Sequence, residues 1–214
     1  MEDRIETKSV VFNEDCIQGM KRYPDNHFHL AIVDPPYGIG RDKKQNKNNG
    51  KWRFKKYHDS DWDSEAPNEE YWKELFRVSK NQIVWGANHY ISKIPFDSSC
   101  WIVWDKVNGA GDFADCELAW TSFKTAVRKF TYYFGTENNE RIHPTQKPKA
   151  LYEWLLMKYA SEGDLILDTH LGSGSSRIAA YKGGFNFIGF EIDQEYYEKQ
   201  EKRFNLFKQQ TTLF

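Results

Sequence analysis

Long apolar runs are missing from the 214 residues, and no window approaches the roughly 20 apolar residues that a membrane-spanning helix requires. The opening Met1-Glu2-Asp3-Arg4 has no basic-then-apolar leader pattern, so a cytoplasmic protein with no membrane partner is expected, in a bacterium or a phage-infected host. Cysteine is scarce. Cys16, Cys100 and Cys116 are odd in number and none stands in CxxC spacing, which argues against a disulfide framework and a cysteine zinc site. The 6 histidines form no HExxH, so no metal is expected. Repeats and low-complexity tracts are lacking as well. What is abundant is aromatic: 8 Trp, 12 Tyr and 15 Phe make up 16% of the chain, so rings must supply much of the buried area.

Apolar runs rich in β-branched or aromatic residues predict strands at Ser9-Phe12, His29-Val33, Gln82-Trp85, Trp101-Trp104, Glu117-Phe123, Leu165-Leu167 and Phe185-Phe190. Helical patterns lie at Pro148-Ala160, Ser175-Lys182 and Gln194-Lys208. Strands alternating with helices imply an α/β fold around a mostly parallel sheet.

Net charge is only -1, but it is unevenly spread. From Gly38 to His58, Arg41, Lys43, Lys44, Lys47, Lys51, Arg53, Lys55 and Lys56 face the single acid Asp42. From Asp59 to Glu74, seven acids face Lys73 alone. Such runs are commonly a solvated loop followed by an acidic helix start. What precedes this one suggests more.

Asp34-Pro35-Pro36-Tyr37-Gly38 closes the strand His29-Val33, and two prolines after a carboxylate fix a rigid turn. A carboxylate, oriented carbonyls and a ring suit a planar amine. Accepting both N–H groups of a nucleobase amine, at Asp34 and the Pro35 carbonyl, would free its delocalised lone pair. A second motif runs from Leu165 to Ser176, a buried strand followed by Asp168, the glycines Gly172 and Gly174, and a helix start. Glycines permit close backbone approach, and a helix N-terminus attracts an anion. Glu191 ends the next strand, about 20 residues on, where an acid typically holds ribose hydroxyls. A third motif, Arg141-Ile142-His143-Pro144-Thr145-Gln146-Lys147-Pro148, leads into a helix with proline at its start.

In that order, Asp34-Tyr37, His143-Pro148 and Asp168-Ser176 resemble motifs four, ten and one of the β-class DNA amino methyltransferases, which methylate adenine N6 or cytosine N4 with S-adenosylmethionine. Asp15-Cys16 and Glu117-Leu118-Ala119-Trp120 are similar to two further family segments, and the compact form resembles small solitary enzymes of phages and prophages. The resemblance implies a Rossmann-like methyltransferase fold, helices on both faces of a twisted sheet, and one domain over 1–214, with the basic insertion at about 38–63 as a DNA-facing lid.

It also implies roles. Asp34, Pro35, Pro36 and Tyr37 would be catalytic, Asp34 orienting the amine and Tyr37 stacking on the extruded base. Asp168, His170, Gly172, Gly174, Ser175 and Ser176 would line the methionyl end of the cofactor, with Asp34 close by; Glu191 would hold the ribose, Thr145 and Lys147 would close over it, and Asp15 and Cys16 would flank the adenine. The family more often has Pro-Phe where Thr169-His170 stand here, which replaces an aromatic contact to the cofactor with an imidazole.

DNA is the expected partner, met by the eight basic residues of the insertion through phosphates. Lys124, Arg128 and Lys129, beside Phe130, Tyr132 and Tyr133, form a second basic and aromatic stretch, readable equally as a strand with a wet face. Only Gly38-Asn68 and Lys106-Asp115 remain for base recognition, so the site read should be short. Monomer and homodimer both stay open. The competing readings are cytosine N4 methylation, a nicotinamide-dependent oxidoreductase, disfavoured by the lack of a third glycine, and an inactive DNA-binding homologue.

Overall fold

The computed structural model describes residues 8–40, 63–109, 114–133 and 141–211. Eight strands form one sheet: β1 (Ser9–Phe12), β2 (Phe28–Val33), β3 (Ser79–Trp85), β4 (Ile102–Asp105), β5 (Cys116–Thr121), β6 (Arg128–Thr131), β7 (Leu165–Asp168) and β8 (Asn186–Phe190). Their order is β1-β8-β7-β2-β3-β5-β4-β6. All pairings are parallel except those of β5, which runs against both β3 and β4.

Alternation within the central strands assigns each side chain to a face. Leu30 and Ile32 of β2, Ile83 and Trp85 of β3 and Ile166 of β7 share one core cluster with Leu151, Leu155, Ala179 and Ala180. Ala31, Val33, Val84 and Leu167 point the other way, into a cluster with Met20, Tyr71, Trp72 and Leu75. The helices thus lie on both faces: α1 (Cys16–Met20) and α2 (Glu69–Val78) on one, α3 (Lys149–Tyr159) and α4 (Ser175–Lys182) on the other, while α5 (Gln194–Thr211) packs beside α4. This is the Rossmann-like arrangement expected.

Local chemistry sets the boundaries. Asp15 caps α1 by accepting from Gln18 N at 3.0 Å, and Asn68 caps α2 by accepting from Tyr71 N at 3.0 Å, ahead of Glu69 and Glu70 in the first turn. The acidic run therefore does begin a helix. Pro148 is the extended cap of α3 rather than its first helical residue, with ψ 146°. β5 stops at Thr121, two residues before the expected end, because the Thr121 hydroxyl turns back to accept from Phe123 N. The second basic stretch forms β6, at the sheet edge and largely exposed.

From β7 the chain winds through α4 to β8, and from β2 through α2 to β3 on the opposite side. β2 and β7 are neighbours, so a crevice opens between their carboxyl ends, where doubly wound sheets bind ligands. Asp34 follows one of these strands and Asp168 ends the other.

Candidate active site

The turn after β2 is locked from several directions. Tyr90 shares its one hydroxyl proton between the carbonyls of Pro35 and Pro36, at 2.6 and 2.7 Å, which ties both to one donor. One carboxylate oxygen of the buried Asp63 accepts from Tyr37 N at 2.7 Å and Gly38 N at 3.1 Å, and Gly40 N donates to the Asp63 carbonyl at 3.1 Å. The intervening residues 41–62, with Arg41, Lys43, Lys44, Lys47, Lys51, Arg53, Lys55 and Lys56, lie outside the described residues. The Tyr37 hydroxyl donates to Asp34 Oδ1 at 2.9 Å, and its ring stacks on the exposed His89 at 4.8 Å between centroids. Gly86 supports that ring: its φ is +68°, and a Cβ there would lie 2.2 Å from Tyr37 Cε1.

Asp34 Oδ2 holds the ammonium of Lys147, from the loop before α3. Lys147 reaches Glu117 at 3.1 Å, and Glu117 pairs with Lys106 at 2.6 Å. Two carboxylates and two ammonium groups alternate in a buried row, with Lys147 also 5.4 Å from the Trp85 ring centroid. Burial pushes the Asp34 carboxyl up even against Lys147, while Lys147 and Lys106 overcome the burial of Glu117 and bring it down to about 2. Lys147 itself is held charged by its two acids, in spite of its own burial.

Across the crevice, the turn after β7 is built on hydrogen bonds from its own acids. Asp168 Oδ1 accepts from His170 N at 3.1 Å and Oδ2 from the Ser176 hydroxyl at 2.5 Å. Glu191 Oε2 accepts from Gly172 N at 2.7 Å and Oε1 from Asp193 N at 2.9 Å. Burial raises Asp168 to about 6 and Glu191 to about 7.

Between these walls lies a cavity of about 210 Å³, several times the roughly 30 Å³ of a water molecule. Asp15, Cys16, Asp34, Pro36, Thr145, Lys147, His170, Gly172 and Glu191 line it, all named from the sequence. His143, Gln146 and Ser173, which lie within the motifs read from the sequence, also line it, as do Glu14, Tyr152 and Tyr196, whose positions depend on tertiary packing that no local pattern reports.

Besides Asp168, three expected cofactor residues stand outside the cavity lining. Gly174, with φ +71°, packs on Gln200; Ser175 bonds Ser173 and Arg203; Ser176 is spent on Asp168. They shape the turn from behind, together with Asp168, and the start of α4 does not line the cavity. Lys147 differs too: it is drawn to Asp34 and Glu117 by charge, where the sequence suggested a cover over the ribose. Asp15 lines the cavity while capping α1, and burial raises the Cys16 thiol to about 12, leaving it an inert apolar wall.

Acids are frequent in the wall: Asp15, Asp34 and Glu191 line it, as does Glu14, whose carboxylate is paired with Arg22. Gln146 Nε2 is a buried donor with no partner among the described residues. Such a lining suits a ligand with several N–H and O–H groups and positive charge.

Comparison with known proteins agrees. Type II methyltransferase M.HpaI of Haemophilus parainfluenzae is 27% identical over 234 positions, covering 88% of this chain and 72% of that protein. The M1.HpyAVI–SAM complex superposes with a TM-score of 0.60 at 20% identity, covering 90% of this chain and 98% of the other. PvuII DNA methyltransferase, described as cytosine-N4-specific, gives 0.59 at 14% identity, covering 92% and 87%. At such identities the two structures speak for the fold. The family model for N6 and N4 methyltransferases, described as DNA methylase, matches residues 84–202, more than half of the sequence, and the chain belongs to that family.

Proposed function

We propose that the protein transfers a methyl group from S-adenosylmethionine to the N6 amine of adenine in DNA. The observation that carries this reading is the Asp34 carboxylate, fixed by Tyr37 and Lys147 in the wall of the cavity that Glu191 also lines. The cofactor fits that cavity: Glu191 would hold the ribose hydroxyls, Asp15 and Cys16 would border the adenine, and His170, Gly172 and Thr145 would bound the remainder. When bound, it supplies an electrophilic methyl on a sulfonium.

The chain's own residues do the rest by positioning. Asp34 accepts an N–H of the target amine and, with the second lone pair of the Pro35 carbonyl, favours a pyramidal nitrogen with its lone pair free. Tyr90 has already set that carbonyl's direction, so no reorganisation is needed at the moment of reaction. Lys147 loses Asp34 as its main partner when the amine arrives, and Glu117 keeps it charged. An extruded base takes the place of the exposed His89 ring on Tyr37, which offsets part of an unstacking cost of about a few kcal/mol. The whole chain works as one domain, with the basic insertion leaving and returning at Gly40 and Asp63, beside the catalytic turn, and meeting DNA phosphates.

An acidic Asp34 supports adenine, since the cytosine enzymes of the family more often carry serine there. The likeness in fold to the PvuII enzyme keeps cytosine N4 as the second reading. Incubation with S-adenosylmethionine and unmethylated DNA, digestion to nucleosides and mass spectrometry decide the matter. N6-methyladenine is expected; N4-methylcytosine would replace the base assignment, and no methylated base with the cofactor bound would overturn the function.

A further inference from the structure

Thr169-His170 is where this chain leaves its family's pattern, and the two residues act with a third from another element. The Tyr71 hydroxyl, on α2, is buried at 1% exposure and lies 2.8 Å from Thr169 Oγ1, its one hydrogen-bond partner among the described residues. Thr169 Oγ1, itself only 2% exposed, lies 2.9 Å from His170 Nδ1. Proton accounting fixes the direction. The Tyr71 proton has Thr169 as its acceptor, so Thr169 spends its own proton on His170 Nδ1. The reverse order would leave the phenol proton unpaired in the core, and an Nδ1–H donating to Thr169 would leave the threonine proton unpaired, both costly arrangements. His170 Nδ1 is therefore an acceptor, and the neutral ring carries its hydrogen on Nε2.

Nε2 has no partner among the described residues, and His170 lines the cavity. Burial holds the imidazole down to about 4, so the ring stays neutral beside a positive ligand. Most charged groups of the wall are carboxylates, which suit the ammonium, sulfonium and hydroxyl groups of S-adenosylmethionine but not its carboxylate. That group needs donors. Lys147 is engaged by Asp34 and Glu117, and Gly172 N by Glu191, which leaves His170 Nε2 together with the unpartnered Gln146 Nε2.

We infer that His170 donates Nε2–H to the carboxylate of bound S-adenosylmethionine, in a tautomer set by the relay from Tyr71 through Thr169. Phenylalanine at this position has no such donor, so the contact belongs to this variant of the motif. The inference rests on the reading that this cavity takes the cofactor.

Two measurements on the full chain test it. In protein labelled with 15N-histidine, two-bond proton–nitrogen correlations should show His170 as the Nε2–H tautomer before and after S-adenosylmethionine is added. By calorimetry, His170→Phe should weaken S-adenosylmethionine about tenfold, the scale of one hydrogen bond to a charged group, and leave decarboxylated S-adenosylmethionine unchanged. His170→Gln, which restores an N–H at similar reach, should recover part of the loss. The double variant Tyr71→Phe, Thr169→Val removes the relay without leaving an orphan hydroxyl and should mix the tautomers.

An Nδ1–H tautomer would overturn the inference. So would equal weakening of both ligands by His170→Phe, or no weakening of either, including the case in which only the affinity for DNA changes. Glu191→Ala separates the two levels: if it leaves S-adenosylmethionine binding intact, the cavity assignment fails and this contact with it, whereas weakened binding with an unaffected His170→Phe removes only the His170 contact.

Discussion

Lys147 and Asp34, 113 residues apart in the chain, are joined by an ion pair that ties the loop before α3 to the turn after β2. Glu117 completes the arrangement from the start of β5, the strand that runs against its neighbours. Because β5 is reversed, its beginning lies at the carboxyl-end rim of the sheet, so it delivers an acid to the rim where the parallel strands end.

Lys147→Met should destabilise the fold by about 3–5 kcal/mol, the usual effect of removing one partner from a buried ionic group. Urea denaturation measures it. The loss should be smaller for Lys147→Met, Asp34→Asn than for the single variant, and smaller at acid pH, where the Asp34 carboxyl takes up a proton. Equal stability of wild type and Lys147→Met at neutral pH would contradict the buried row.

Asp34→Ala should lower methyl transfer by at least about a thousandfold, the upper scale of losing a preorganised transition-state partner. Affinity for S-adenosylmethionine should change little, because Glu191, Gly172 and Asp15 remain. Single-turnover assays with parallel calorimetry separate the effects, and an active Asp34→Ala protein would end the mechanism given above.

Cofactor affinity should depend on Glu191 ionisation. Burial raises this carboxyl from 4.5 to about 7. Between those values the folded protein keeps a proton that the unfolded chain has released, so Glu191 makes the unliganded fold less stable as pH rises through that window. Ribose hydroxyls donate to the carboxylate form, and binding should tighten roughly tenfold or more from pH 5.5 to 7.5. His143 and His170, held by burial to about 3 and about 4, stay neutral throughout. Asp168, raised to about 6, is turned to Ser176 and the His170 amide rather than into the cavity. Glu191→Gln should bind more weakly at pH 7.5 with a nearly flat profile; a slope equal to that of wild type would assign the proton to another group.

Gly86→Ala tests the seat of Tyr37. Its backbone cost of about 1–2 kcal/mol joins an overpacking cost of about 1–3 kcal/mol from the clash with the ring. Gly109→Ala is the control, having φ +65° and nothing within 4 Å of an added Cβ. Methyl transfer should collapse in the Gly86 variant alone; similar losses of stability in both would show that Tyr37 yields freely.

Neutralising Lys43, Lys44, Lys55 and Lys56 together should flatten the salt dependence of DNA binding by about four units of slope at most. An unchanged slope would return the insertion to an ordinary solvated loop.

Where one strand and one turn suffice, the sequence was informative. β2 with Asp34, β7 with its glycine turn, and Glu191 after β8 are local patterns, and the structure places them around one crevice. α1 escaped notice because five residues with an internal glycine carry too weak a helical period. The direction of β5 was equally hidden, since alternation reports which face a residue takes but not which way a strand runs. The ion pairs of Lys147 were hidden for a related reason: its partners are set by charge across the sheet, and spacing along the chain does not encode that meeting. Ser175 and Ser176 were legible as part of the glycine turn, but not their hydrogen bonds to Ser173, Arg203 and Asp168, which brace that turn.

The pairing of β1 with β8 has a consequence for how the protein is made. Among the described strands, the first in chain order pairs with the last, with Phe12 opposite Phe190. Asp15 and Asp34 are synthesised early, yet Lys147, Asp168 and Glu191 follow only after most of the chain has been translated. A nascent polypeptide stopped before β7 and β8 therefore holds an acidic, aromatic half-sheet with no partner for β1 and no opposite wall for its cavity. The growing chain thus completes this cavity only once β7 and β8 have been made, and until then exposes edges that other chains can pair with.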